Sequence, residues 1–213
     1  MSSPYSSPSP SPSAAAPRIV RHSLLQIDAF LTAAEISWLM EPVFARENDF
    51  RPSAVADRKD DYRRSLVLEP PPAIEAMMLG KIRGVIPEAI RQVRVPNFDV
   101  GLIECQLTAN NDGSYFRVHT DATKNETRGR VFTYVYYFNR EPRGFLGGDL
   151  RVYDDQIRDG KFARVDSFQV VEPRHNRIVF FNAAVMHEVT PVQVPSKAFR
   201  DSRFTVNGWV HRA

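Results

Sequence analysis

The chain has 213 residues, 43% of them hydrophobic and 25% charged, with a formal charge of +3 and one cysteine. These figures suit one soluble globular domain and exclude a disulfide-stapled fold, because Cys105 has no intrachain partner. They also argue against nucleic-acid and membrane binding: the small basic excess is not gathered into a run, and no stretch approaches the ~18 consecutive apolar residues of a bilayer span. With a lone cysteine and no signal-like N-terminus, the expected setting is a reducing, cytoplasmic one.

Residues 1–18 are rich in Ser, Pro and Ala. Such a segment buries too little apolar surface to offset its ordering entropy, so a disordered tail is expected there, with a single domain over 19–213. Thr32-Ala-Ala-Glu35 has the form of a capping box opening a helix, and Ile36, Leu39, Met40, Val43 and Phe44 mark one helical face. Pro42 is predicted to kink that helix or end it early. Asn48 to Asp61 is polar and predicts a loop, followed by a short strand over Ser65 to Leu68 that Pro70-Pro71-Pro72 stops. A second helix is predicted from Ala73 to Arg83, resuming over Pro87 to Val93 after a break, so that 28–93 forms a helical region.

The pattern changes at Asp99. Alternating, β-branched and aromatic segments predict strands at 100–108, 115–120, 131–139, 149–153, 168–172, 177–181, 184–190 and 204–210. Asn110-Asn111-Asp112-Gly113 and Gly147-Gly148 mark turns between them. Helices in front of a run of strands predict an α+β protein, with an antiparallel barrel or jelly roll over 99–211.

Three residues in the strand region have metal-ligand chemistry. His119 and Asp121 are two apart, which on a strand puts both side chains on one face, about 7 Å apart along the backbone. His187 lies in Val185-Met186-His187-Glu188-Val189, where alternation places it with Val185 and Val189. Two histidines and one carboxylate form a facial set that leaves coordination positions open. Arg203, Thr205, Asn207 and Trp209 share one face of the last strand, with Phe204, Val206 and Val210 on the other. An inward arginine calls for an anion, and a carboxylate gripped bidentately suits it. Tyr137 shares a face with Val131, Thr133 and Val135 and could donate to that same carboxylate. Tyr134 and Tyr136 read as core aromatics.

On these residues the chain resembles the 2-oxoglutarate- and Fe(II)-dependent dioxygenases, in their prolyl 4-hydroxylase-like branch. The likeness rests on six ordered blocks: His119-x-Asp121, Arg130 to Asn139, Gly147 to Val152, Glu172 to Phe181, His187 to Val192, and Arg203 to Trp209. It implies a double-stranded β-helix (a cupin-like jelly roll) braced by the N-terminal helices. It implies His119, Asp121 and His187 as Fe(II) ligands, Arg203 and Tyr137 on the distal carboxylate of 2-oxoglutarate, Leu150, Val189 and Trp209 as pocket walls, and Arg130 near the substrate mouth. The implied reaction is an oxidative hydroxylation with Fe(II), 2-oxoglutarate and O2, ascorbate being a candidate additional reductant. The implied substrate is a prolyl residue in a peptide or protein, or alternatively a free amino acid or small natural product.

The chain also departs from that pattern. Leu107 stands near the place of an expected tyrosine on the preceding strand, and Phe116 stands three residues before His119 where another tyrosine is common. Gln193 to Ser202 reads as an inserted loop that makes Lys197 and Arg200 rival cations to Arg203. Specificity is expected in Asn48–Tyr62, Asn110–Ser114, Ala122–Gly129 and that loop, with Arg63, Arg64 and Lys124 available to an acidic substrate. The competing readings are a hydrolase or isomerase using another metal on the same barrel, a silent scaffold, and a nucleic-acid demethylase.

Overall fold

The computed structural model describes residues 18–53, 62–122, 127–158 and 161–213. The expected tail lies outside them except for Arg18, which opens a strand, Arg18–Val20. Lys124 and most of the predicted 48–61 loop also lie outside them.

The first helix, Ala33–Ala45, begins at the predicted capping box. The Glu35 amide donates to Thr32 Oγ1, and the Glu35 carboxylate accepts from the Thr32 amide at 2.8 Å. The helix does not end at Pro42 but runs through it to Ala45. The backbone bond lost there is offset by Leu39 and Val43, both fully buried on either side of it. The second helix is likewise unbroken, from Pro72 to Val93, with Pro87 inside it. Ile74, Met78, Ile82, Ile86, Ala89 and Val93 form a buried stripe at helical spacing on both sides of the proline, and this packing carries the helix across it.

Two antiparallel sheets make up most of the rest. The larger runs in the order Leu25–Asp28, Arg177–Asn182, Arg130–Phe138, Arg203–Arg212, Gln106–Asn110, Leu66–Leu68 and Arg51–Pro52, with Val100–Ile103 also paired to Arg203–Arg212. The smaller runs Arg18–Val20, Leu150–Arg158, His187–Val189, Tyr115–His119 and Arg63–Arg64, with Lys161–Val171 paired to Leu150–Arg158.

The sequence boundaries need three corrections. The single strand expected over 100–108 is interrupted at Glu104 and Cys105, although Val100–Ile103 and Gln106–Asn110 run along the same partner strand in one register from Ile103 to Asn110. There the Glu104 amide donates to the Trp209 carbonyl and its own carbonyl accepts from Tyr134 Oη at 2.7 Å. The strands expected at 149–153 and 168–172 form one long hairpin, Leu150–Arg158 with Lys161–Val171; its distal half is polar and so shows no apolar alternation. The strand expected over 184–190 shrinks to His187–Val189, because Asn182 caps a turn by accepting from the Ala184 amide through its side chain and from the Val185 amide through its carbonyl.

Arg130–Phe138 explains the layering. One set of alternate residues, Phe132, Tyr134, Tyr136 and Phe138, joins helix residues such as Leu39, Met78 and Ile82 in the main core. The opposite set includes Val135 and Tyr137, which pack with Val179 and Phe181 of the same sheet and with Leu150, Val152 and Val171 of the smaller one. A strand buried on both faces reads as a nearly continuous apolar run, as this one does. The two sheets thus face each other in a jelly-roll-like arrangement, with a cavity between them.

Candidate active site

His119 and His187 are direct cross-strand partners, the arrangement that brings side chains closest together. Their ring centres lie 4.1 Å apart. Asp121 lies two residues past the end of the Tyr115–His119 strand and is fixed by two bonds: its amide donates to the Ala183 carbonyl at 2.9 Å, and its Oδ2 accepts from Thr133 Oγ1 at 2.6 Å. His187 Nε2 lies 3.2 Å from Asp121 Oδ2, and His119 Nε2 lies 3.6 Å from Oδ1. Among the described residues this is the one group of three whose ligand atoms all fall within 4.8 Å of one another, and all three side chains are buried.

Both imidazoles are oriented in the same way. His119 Nδ1 bonds the Arg117 carbonyl at 2.7 Å, and His187 Nδ1 bonds the Val185 carbonyl at 2.9 Å. A carbonyl can only accept, so Nδ1 donates in both rings and Nε2 is the atom aimed at the shared centre. Burial above all, with His187 acting in the same sense, pushes His119 down to about 3, so it is neutral at physiological pH, as a ligand must be. Burial alone would raise the Asp121 carboxyl, but His187, His119 and Thr133 together hold it below the usual carboxylate range. Phe116 stacks on His119 with a centroid separation of 3.6 Å, and Phe181 meets His187 edge-on at 4.7 Å.

The same cavity holds a second cluster. Arg203 is 3% exposed and Tyr137 1% exposed, with the guanidinium carbon 4.9 Å from the phenol ring centre. Arg203 Nε and Tyr137 Oη are buried without a hydrogen-bond partner. Such orphaned atoms cost about 1–3 kcal/mol each, so this end of the cavity fits an acceptor-rich anion. Burial pushes the Tyr137 phenol up to about 12, against the opposing pull of Arg203, so it is a donor at neutral pH. Burial also lowers the Arg203 guanidinium below its ordinary value, but an arginine keeps its charge regardless. The Gly147-Gly148 turn makes room for this side chain. Gly148 has φ +73°, and a Cβ there would lie 2.5 Å from Arg203 Cδ.

The structure brings His119, Asp121, His187, Tyr137, Leu150, Val189, Arg203 and Trp209 to this one cavity. Of the rival cations, Lys197 and Arg200 are exposed, and Arg200 lies over Phe44. Arg130 is outside the lining. It grips the Glu104 carboxylate through Nε at 3.0 Å and Nη2 at 2.9 Å and lies 3.5 Å over the Trp209 ring. Leu107 faces the main core, and its neighbours Thr108 and Asn110 face the cavity.

Several contributors were not singled out from the sequence. Thr133 shares a face with Tyr137, so alternation was the available signal for it. Thr108 and Thr205 both donate to Asn207 Oδ1, at 2.8 and 3.0 Å, and the Thr108 contact depends on the register of the two strands. Cys105 has its thiol pushed by burial up to about 11, which removes it as a nucleophile at neutral pH.

The 2OG-Fe(II) oxygenase superfamily model matches residues 105–211, and the chain belongs to that family. The cofactors of this oxygenase are therefore Fe(II), 2-oxoglutarate and O2, and the residues fit them: two imidazoles and a carboxylate suit Fe(II), and the unpartnered Arg203 Nε and Tyr137 Oη suit a carboxylate. An uncharacterised PKHD-type hydroxylase of Synechocystis sp. is 39% identical over 189 residues, which is 88% of this chain and 62% of that relative's own length. A prolyl-4-hydroxylase from Pseudomonas putida superposes with a TM-score of 0.65 at 22% identity, covering 90% of this chain and 94% of that one. A prolyl hydroxylase from Trichoplax adhaerens, in complex with a hypoxia inducible factor peptide fragment, gives 0.62 at 17% identity, with coverages of 90% and 84%. At these identities the two structures speak for the fold.

Proposed function

We propose that the chain is a hydroxylase that inserts one oxygen atom into an unactivated C–H bond, with a prolyl residue of a peptide or protein as the substrate. The observation that carries the reading is a buried arginine and tyrosine, with Arg203 Nε and Tyr137 Oη lacking hydrogen-bond partners, in the same cavity as a His/Asp/His ligand cluster. A hydrolase or isomerase on this barrel would need the three ligands but has no use for a buried carboxylate receptor beside them.

His119, Asp121 and His187 would hold Fe(II). Bound there, iron and 2-oxoglutarate would supply the chemistry by which O2 gives one oxygen atom to the substrate C–H bond and the other to the oxo acid, which leaves as succinate and CO2. The protein's own part is positioning. Arg203 and Tyr137 would fix the far carboxylate of 2-oxoglutarate, and Leu150, Val189 and Trp209 would keep its methylenes out of water, so that its oxo-acid end has one orientation. Thr133 holds Asp121, and the Arg117 and Val185 carbonyls hold the imidazoles. Arg130 would act on the mouth indirectly, by pinning Trp209. We read the two helices as a brace behind the larger sheet. We also read the described residues as a single domain with a cytoplasmic setting; among them no helix is long and apolar enough to cross a membrane.

The prolyl substrate draws support from the names of the structural neighbours and from the PKHD-type relative. Iron-loaded protein given 2-oxoglutarate, O2 and ascorbate with a set of proline-containing peptides should form succinate, and one peptide should gain one oxygen atom by mass spectrometry. Succinate formation that persists without iron would contradict the assignment. A gain of oxygen only on free amino acids would replace the substrate and leave the chemistry.

A further inference from the structure

Arg63 and Arg64 are adjacent in sequence but differ in environment. Arg64 is exposed, whereas Arg63 is partly buried and lines the active cavity. The short strand Arg63–Arg64 is hydrogen-bonded alongside Tyr115–His119, with Arg63 directly opposite Phe116. Its guanidinium carbon lies 4.9 Å from the Phe116 ring centre, and that ring in turn stacks on His119. The cation therefore reaches the metal end of the cavity across an aromatic ring, and its charge acts on both Asp121 and His119.

One edge of the guanidinium is tied down. Arg63 Nε donates to Ser65 Oγ at 2.8 Å, and Ser65 Oγ donates to Ser53 Oγ at 3.1 Å. The two terminal amino groups have no hydrogen-bond partner among the described residues, and no carboxylate of those residues forms a salt bridge with Arg63. A guanidinium fixed at Nε and open at Nη1 and Nη2 is a preorganised fork for a planar, two-oxygen anion. Arg203 belongs to the larger sheet and Arg63 to the smaller. Two arginines thus approach one cavity from opposite walls, and 2-oxoglutarate has only one carboxylate to spare beyond the end that chelates the metal.

We infer that Arg63 is the receptor for a carboxylate of the substrate, so the molecule oxidised is an acid whose carboxylate lies beside the reacting C–H bond. The inference rests on the oxygenase reading above and narrows its substrate class. The carboxylate can belong to a free amino acid or to a peptide, as its C-terminus or as an acidic side chain next to the target residue.

The test uses metal-loaded, 2-oxoglutarate-saturated protein under argon and matched acid and amide probes: proline and prolinamide, a proline-ending peptide and its C-terminal amide, and internal peptides with Glu or Gln beside proline. Binding is read by ligand-observed NMR for wild type, Arg63→Gln and Arg63→Lys. In wild type the acid of at least one pair should bind about tenfold or more tighter than its amide. That gap should fall below about twofold in Arg63→Gln and be partly restored in Arg63→Lys, with 2-oxoglutarate affinity unchanged in both. The pair that shows the gap identifies the source of the carboxylate. Equal binding of acids and amides, absence of binding by every acid, or a loss confined to 2-oxoglutarate affinity would overturn the inference. Wild-type protein that fails to bind 2-oxoglutarate at all would overturn the oxygenase reading itself, a distinct outcome.

Discussion

Tyr136 and Tyr137 are neighbours on one strand, and both are fully buried, yet they do opposite work. Tyr136 points into the main core, stacks near Phe138 and donates its hydroxyl to Asn176 Oδ1 at 3.1 Å. Tyr134, on the same face, donates to the Glu104 carbonyl. On the other face the Tyr137 hydroxyl, Arg203 Nε and Trp209 Nε1 are all left unpaired. The larger sheet therefore has a face on which polar needs are met by the protein and a face on which they await a ligand. Stability resides on the first and binding on the second.

The largest expected effect is on the cavity side. Asp121→Ala should lose stoichiometric iron and reduce succinate formation to background while the protein stays folded by circular dichroism. The next pair separates the faces by stability. Tyr136→Ala, a large-to-small change in a packed core, should cost about 3–5 kcal/mol in denaturant unfolding. Arg203→Ala should leave the metal-free protein as stable as wild type or more so, because it removes a buried charge that has no salt bridge among the described residues; a loss as large as that of Tyr136→Ala would erase the distinction.

Tyr137→Phe should weaken 2-oxoglutarate binding about tenfold, the value of one hydrogen bond to a charged group, without lowering the melting temperature. Tyr136→Phe should do the reverse, leaving binding alone and lowering stability by about 1 kcal/mol. Gly148→Ala should weaken 2-oxoglutarate several-fold by displacing Arg203, and calorimetry would show whether iron binding stays intact. Acid gives the smallest effect. His119 is held below its unfolded value of about 6.5, so the unfolded chain takes up protons first and stability falls as pH drops. Metal-free protein should lose about 1 kcal/mol between pH 7 and pH 5.5, and His119→Ala should flatten that slope.

Much of this division was legible in the sequence because strand alternation sorts residues by face. It separated Tyr137 from Tyr134 and Tyr136, and Arg203, Thr205, Asn207 and Trp209 from Phe204, Val206 and Val210. The ligand triplet was a weak pattern by itself, and the ordered blocks around it made it legible and assigned the roles. What alternation cannot give is pairing. That His119 lies opposite His187, that Thr108 meets Asn207, and that Arg63 lies across Phe116 all depend on register between distant segments. Local rules also yielded to packing at Pro42 and Pro87, where buried stripes carry helices through residues that ordinarily end them. Arg63 shows the same limit from the other side: two adjacent arginines read alike until one was found in the cavity and the other in solvent.

The central claim is that one cavity holds both an iron site and a carboxylate receptor, and that 2-oxoglutarate needs both. It is tested most directly by calorimetric titration of 2-oxoglutarate, without oxygen, into wild type with and without Fe(II) and into iron-loaded Arg203→Ala. The account predicts one saturable site in iron-loaded wild type, and affinity about 100-fold weaker both when the metal is withheld and when Arg203 is removed. Binding that ignores the metal, or that is unchanged in Arg203→Ala, would contradict it.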